Sequence, residues 1–177
     1  GGPQQRRAYL DLLLCKLYPT YLEDLGRYQK ALKQKNALLK TGLHADQAQL
    51  ESWDQILART GSEVTRERQT LCQRLAPILR QTYQQLSGES SPLELTFQPS
   101  NANLAEEFYL RLLRKRPEEI RLRTSLLGPH RDELLFHLGP GEVRRFGSQG
   151  QRRTLALALR LAQADILRDL GRESPVV

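Results

Sequence analysis

The sequence predicts a mainly α protein, α+β overall, built on a long antiparallel helical arm of coiled-coil type with a small β element. Three observations carry this. Leu50, Leu57, Val64, Leu71 and Ile78 recur every seven residues, a spacing that keeps one helix face apolar over many turns. Tyr21, Leu25, Tyr28, Leu32, Lys35 and Leu39 alternate steps of four and three, a second seam of the same period. Only 6% of the residues are aromatic and 39% are apolar, which suits slender helices better than one thick core.

The elements follow in order. Leu10, Leu13, Leu14 and Leu17 form an amphipathic stripe between Pro3 and Pro19, so the first helix is short. The second occupies residues 20–41 and stops near Gly42. The third, Asp46 to Ser87, is about 60 Å long at 1.5 Å per residue, and the short connection at Gly42–Ala45 makes the second helix its antiparallel partner. Pro77 predicts a kink near residues 73–77, and Gly61 weakens the same rod. Trp53, Leu75, Thr82 and Leu86 widen its apolar face. After the loop at residues 87–92, alternation of Leu93, Leu95 and Phe97 with polar neighbours predicts a strand. Asn101 and Asn103 can cap a helix through Phe108, Leu112 and Leu113 to Arg116, where Pro117 interrupts it. Thr124–Leu127 and Leu134–Leu138 read as strands around the turn Gly128-Pro129-His130-Arg131-Asp132, whose Asp suits a local backbone hydrogen bond. A second turn at Gly139–Glu142 leads to Phe146.

The net charge of +7 and pI near 9.7, with most basic residues arginine, favour an anionic partner. Cys15 and Cys72 stand apart from any ligand cluster, which argues against a disulfide scaffold or a zinc site. No apolar stretch approaches the roughly 20 residues a spanning helix needs, and no signal peptide opens the chain. The expectation is a cytoplasmic protein with no membrane partner. The lack of methionine and the strand-like ending Pro175-Val176-Val177 read as an internal piece of a longer protein.

Chemistry concentrates where Gly147-Ser148-Gln149-Gly150-Gln151-Arg152-Arg153 opens into Thr154-Leu155-Ala156-Leu157-Ala158-Leu159. A helix start offers unpaired N–H groups and a partly positive dipole end, which suit phosphate. Ser148 alone reads equally as a helix cap. Gly150 permits close approach, Gln151 can donate, and two arginines in a first turn oppose the dipole unless an anion is present. The helix from Ser148 to Leu170 is apolar almost all round, predicting burial on several sides and an exposed apolar patch where cover is missing. His130 has no nucleophile or second ligand beside it, so a catalytic or metal role is rejected; with Arg131 it can face nucleotide or DNA, or simply build the turn. Arg111, Arg114, Lys115, Arg116, Arg121 and Arg123 form either a solvated face or a phosphate-tracking patch. Lys30, Lys33, Lys35 and Lys40 share that ambiguity, and Tyr21, Tyr28 and Trp53 read as packing.

The Gly147–Thr154 run with Leu155–Ala162 resembles the ABC-type signature and signature helix of the RecF family of bacterial recombination mediators, relatives of SMC and Rad50. Gly2-Pro3 with Arg6-Arg7 and Leu10-Asp11, Arg27-Tyr28 through Leu32–Leu39, and Gly128–Asp132 agree in order and spacing. The resemblance implies a DNA replication and repair protein that binds ATP with magnesium, forms an ATP-dependent homodimer on DNA at single-strand gaps or duplex junctions, and loads recombinase with RecO and RecR in recombinational repair and the SOS response. It places Ser148, Gln149, Gly150 and Gln151 against a nucleotide bound by the partner chain, with Arg152 and Arg153 behind them. Residues 1–19 would lead into the arm, 20–88 form it, 89–123 return to the lobe, and 124–177 make part of the signature lobe. A phosphate loop and a magnesium-holding acidic strand, the Walker A and B elements, are absent from these residues. A weak DNA-dependent ATPase is thus implied for a longer protein, with no catalytic residues, metal site or bound cofactor in this piece. The alternative is a helical protein–protein interaction module with no nucleotide or DNA role.

Overall fold

A computed structural model describes residues 2–89 and 91–173; the expected strand start at Pro175–Val177 lies outside them. The chain orders as α1 (Pro3–Leu17), α2 (Pro19–Leu39), α3 (Gln47–Ser87), β1 (Leu93–Gln98), α4 (Ala105–Leu122), β2 (Glu133–Leu138), β3 (Gly141–Glu142), α5 (Val143–Phe146) and α6 (Gln149–Glu173), with 3-10 turns at Gly42–His44 and Pro129–Arg131. The mainly α expectation holds, with one small sheet. Two compact units divide it: Gly1–Leu17, Gln69–Gln98 and Leu134–Val177 form the first, and Tyr18–Arg68 with Pro99–Glu133 the second.

The second unit is a three-helix bundle. Tyr28 and Ala31 of α2 pack on Leu57 and Ala58 of α3, while Leu39 packs on Leu50. Rising numbers on one helix thus meet falling numbers on the other, the antiparallel pairing the short connection requires. Ala31, rather than Leu32, holds the fully buried seam position, with Leu32 half-buried at its edge. Phe108 and Leu112 of α4 complete the cluster. Gly61, expected only to weaken α3, admits this third helix: a Cβ there would meet Phe108 at 2.8 Å and Tyr28 at 3.0 Å.

Four sequence expectations in this unit are corrected. Pro117 does not end α4, which continues to Leu122. Arg116 and Glu119 pin the turns either side of it, to Asp54 at 2.8 Å and Lys35 at 2.6 Å, and offset the backbone bond that proline removes. Neither Asn101 nor Asn103 occupies the N-cap position of α4. Its N-cap is Leu104, Glu106 and Glu107 meet its dipole, and Asn101 is buried, accepting from the Thr65 hydroxyl at 2.9 Å. Thr124–Leu127 is irregular rather than a strand, because side chains take the donors a neighbouring strand would use: Ser125 N–H donates to Asn36 Oδ1 and Leu126 N–H to Glu119 Oε1, both at 2.8 Å. Asp132 bonds at long range, accepting from Ser100 N–H at 2.8 Å and from Arg68 at 2.8 Å.

In the first unit, α3 supplies Leu71, Cys72, Leu75, Leu79 and Tyr83 to the core. The heptad therefore fails after Leu71: Ile78 and Thr82 are half-buried and Leu86 is exposed. A straight helix drifts by about 20° per heptad, and steps of four from Leu75 to Tyr83 keep its buried face in place. α3 continues through Pro77. The sheet order is β1-β2-β3, and β2 meets β3 antiparallel with His137 opposite Glu142. Gly139, at φ 55°, makes the tight turn between them. Tyr9 of α1 donates its hydroxyl proton to the Leu159 carbonyl of α6 at 3.1 Å.

Burial pushes the Tyr9 phenol up from 10.0 to about 12, with the nearby Cys72 adding to the shift. Burial also raises Tyr28, against a smaller opposing effect of its bond to His130. Both phenols lose protons first in the unfolded chain, so stability intact below pH 10 should fall as pH climbs above it. Urea midpoints from pH 8 to 11 test this. A Tyr9→Phe/Tyr28→Phe variant should show a flatter fall, and an unchanged slope would refute the assignment.

Candidate functional site

The site is the hinge from β3 through α5 into α6. Glu142 leads into one turn of helix, and Gly147 closes it with its N–H on the Val143 carbonyl at 3.0 Å. Any side chain at Gly147 would collide with that carbonyl, so glycine here is a steric requirement of the junction. Ser148 then starts α6 as a reciprocal cap. Its Oγ accepts from Gln151 N–H at 3.1 Å, and Gln151 Oε1 accepts from Ser148 N–H at 2.9 Å. The Gln151 amide also donates to Glu89 at 3.1 Å, tying the α6 start to the loop after α3.

The cap consumes two of the donors at the α6 start. No described residue accepts from the N–H groups of Gln149 and Gly150, and Ser148, Gln149 and Gly150 are all exposed. A Cβ on Gly150 would meet only Ser148 Oγ, at 3.7 Å. The fold therefore does not require this glycine, although glycine costs helix stability here. Arg152 and Arg153 are exposed. Arg144 and Arg145 of α5 flank the same turn, functional candidates whose sequence signal is a basic pair four and three residues before Ser148. Arg145 approaches Glu142 at 3.5 Å, and the half-buried Glu142 also faces Arg6 at 3.6 Å. Behind the turn, a recess of about 310 Å³ is lined by Arg6, Arg144 and Arg152 over Phe136, Leu155 and Leu159.

One face of α6 is buried through Leu155, Ala158, Ala162 and Ile166, while Leu157 and Leu161 remain 48% and 43% exposed. The helix is thus covered on one side, not on several, and shows the exposed apolar strip.

The other candidates separate by burial. His130 points inward: Nδ1 lies 2.6 Å from the Tyr28 hydroxyl and Nε2 3.4 Å from the Ser125 carbonyl. The imidazole tautomer sets which of the two donates in the bond between the Tyr28 hydroxyl and Nδ1. Arg131 is exposed, with Nη2 donating to the same carbonyl at 3.1 Å. Arg68 completes the turn, donating to Pro129 O at 2.7 Å. Of the basic cluster on α4, Arg116 is withdrawn from the surface, 13% exposed against Asp54. Arg111 pairs with Glu107 and Lys115 with Glu118, which leaves Arg114, Arg121 and Arg123 exposed without an ion pair among the described residues. Lys35 is fully buried between Asp54 and Glu119, while Lys30, Lys33 and Lys40 stay exposed. Among the described residues no group of three His, Cys, Asp or Glu side chains could hold a metal, and no helix is long and apolar enough to cross a membrane.

No protein-family model matches the chain. Curated proteins do match it from end to end. DNA replication and repair protein RecF of Microcystis aeruginosa is 39% identical over 192 residues, covering 100% of this chain and 51% of the relative. RecF of Trichlorobacter lovleyi is 39% identical over 99% of the chain and 48% of the relative. The chain matches RecF along its whole length. The fold agrees: a structure of the recombination mediator protein RecF with ATP in the RecFOR pathway superposes with a TM-score of 0.89 at 28% identity, over 99% of this chain and 49% of that one. The RecF-like chain spans about half the length of the relatives it matches.

Proposed function

We propose that the α6 start is the signature half of a shared ATP site, acting on a nucleotide held by a second RecF-like chain. The observation that carries this is Gly150: it is exposed, not required by the fold, and carries one of two adjacent N–H donors that no described residue accepts, in a turn ringed by arginines. Ser148 and Gly150 would meet the terminal phosphate, with Gln149 and Gln151 beside it and Arg152 and Arg153 behind. The residues here fit the phosphate end of ATP; they offer no ligand set for magnesium and no phosphate loop.

In a protein of RecF length carrying this sequence, ATP with magnesium would close a homodimer on DNA at single-strand gaps or junctions. That closure would promote recombinase loading with RecR and RecO in repair and the SOS response. Arg114, Arg121 and Arg123 are the cations left to track phosphate, and binding through them would weaken with salt. The match of this whole chain to about half of RecF supports this reading. Ser148→Arg in that protein should abolish ATP-driven dimerisation, read by light scattering, while circular dichroism shows an unchanged fold. Dimerisation at the unsubstituted level would refute the assignment.

A further inference from the structure

Within the helical bundle, α2 and α3 leave a groove of about 600 Å³ between them. Its floor includes Ala31 and Trp53, the latter half-buried against the cluster of Tyr28, Leu57 and Phe108. Ile56 stands in the groove 41% exposed. Arg27 and Lys30 project from α2 and Arg59 from α3, and no acidic side chain lines the groove. Lys30 and Arg59 have no ion pair among the described residues, and Arg27 reaches only the exposed Glu23, at 3.7 Å, a contact of little strength in water.

We infer that this groove binds an acidic peptide segment of a partner protein, its aliphatic or aromatic anchor seated on Trp53 and Ile56 and its carboxylates on Arg27, Lys30 and Arg59. Charge complementarity fixes the sign of the occupant, and arginine pairs with carboxylates in a defined fork geometry. The apolar part fixes its kind. A nucleic acid would satisfy the cations, but base stacking wants an open aromatic platform, whereas Trp53 is packed into the bundle and its neighbour is an aliphatic Ile56. An apolar floor with charged sides is the pattern of a groove that takes an amphipathic segment. The inference is independent of the nucleotide reading, since it uses none of its residues.

Trp53 is the only tryptophan of the chain, so its emission reports on this groove alone. The probe is a synthetic peptide with one Leu between Glu and Asp flanks, titrated at low salt into the 177-residue chain. A saturable change in Trp53 emission is expected, lost when the peptide's Leu becomes Ser. Arg59→Glu and Ile56→Asp, both at exposed positions, should each weaken binding about tenfold with unchanged circular dichroism. The inference is overturned by the absence of a saturable change or by an Arg59→Glu titration equal to the unsubstituted one. It is also overturned if a single-stranded oligonucleotide displaces the peptide and binds more tightly than it.

Discussion

Lys35→Met should destabilise the bundle by about 3–5 kcal/mol, the cost of breaking a buried ion pair and leaving its partners uncompensated. Lys35 Nζ lies 2.6 Å from Asp54 Oδ1 and 2.6 Å from Glu119 Oε2, with all three side chains fully buried. Arg116 would still hold the second Asp54 oxygen at 2.8 Å, and Glu119 Oε1 would still accept from Ser125 and Leu126. Two carboxylate oxygens would nonetheless face each other without a cation. Methionine fills the volume, so the loss reports charge and not a cavity. The comparison is Arg111→Met, which removes an exposed helical pair with Glu107 and should cost about 0.3–0.5 kcal/mol. Urea unfolding measures both, and adding Asp54→Asn and Glu119→Gln should recover part of the Lys35→Met loss. A Lys35→Met variant as stable as Arg111→Met would show that the network contributes nothing.

Gly128→Ala should cost about 3 kcal/mol or more, combining backbone strain and overpacking. Gly128 sits at φ 135°, ψ 174°, a conformation almost confined to glycine. A methyl there would also run into the Tyr28 hydroxyl and crowd the His130 ring, so the substitution disturbs the hydrogen bond between Tyr28 and His130 Nδ1. Gly139→Ala is the control. Its φ is also positive, at 55°, but nothing lies within 4 Å of its missing Cβ, and it should cost about 1 kcal/mol. Equal losses at the two positions, measured by urea unfolding, would reduce the Gly128 effect to backbone strain alone.

Elements with a local signature were legible in the sequence. Leu50, Leu57 and Val64 name the inner face of α3 because a seven-residue period needs no knowledge of the partner, and Pro19 marks the α1–α2 break through its own ring. The misreadings share a cause, which is that distant side chains replaced local partners. Thr124–Leu127 looks like a strand until Asn36 and Glu119 are brought beside it, and Pro117 looks like a stop until Lys35 and Asp54 anchor the turns around it. Lys35 fell on an apolar seam, and only tertiary structure could supply its two carboxylates. The candidate site was more readable. Ser148 and Gln151 lie within one helical turn, so their cap is local chemistry, and Gly150 is conspicuous in a helix start. What sequence could not supply was burial, which moves Arg116 and His130 inward and leaves Arg114 and Arg131 outside.

The cap at Ser148 divides the labour of a single hydroxyl. Its lone pair is committed to Gln151 N–H, and that commitment is intramolecular and permanent while the helix stands. Its proton is a separate resource, able to swing toward an incoming oxyanion without loosening the turn. The same atom can therefore be scaffold and ligand at once, and alanine, which deletes both roles, cannot distinguish them. Aspartate would keep the accepting half and surrender the donating half.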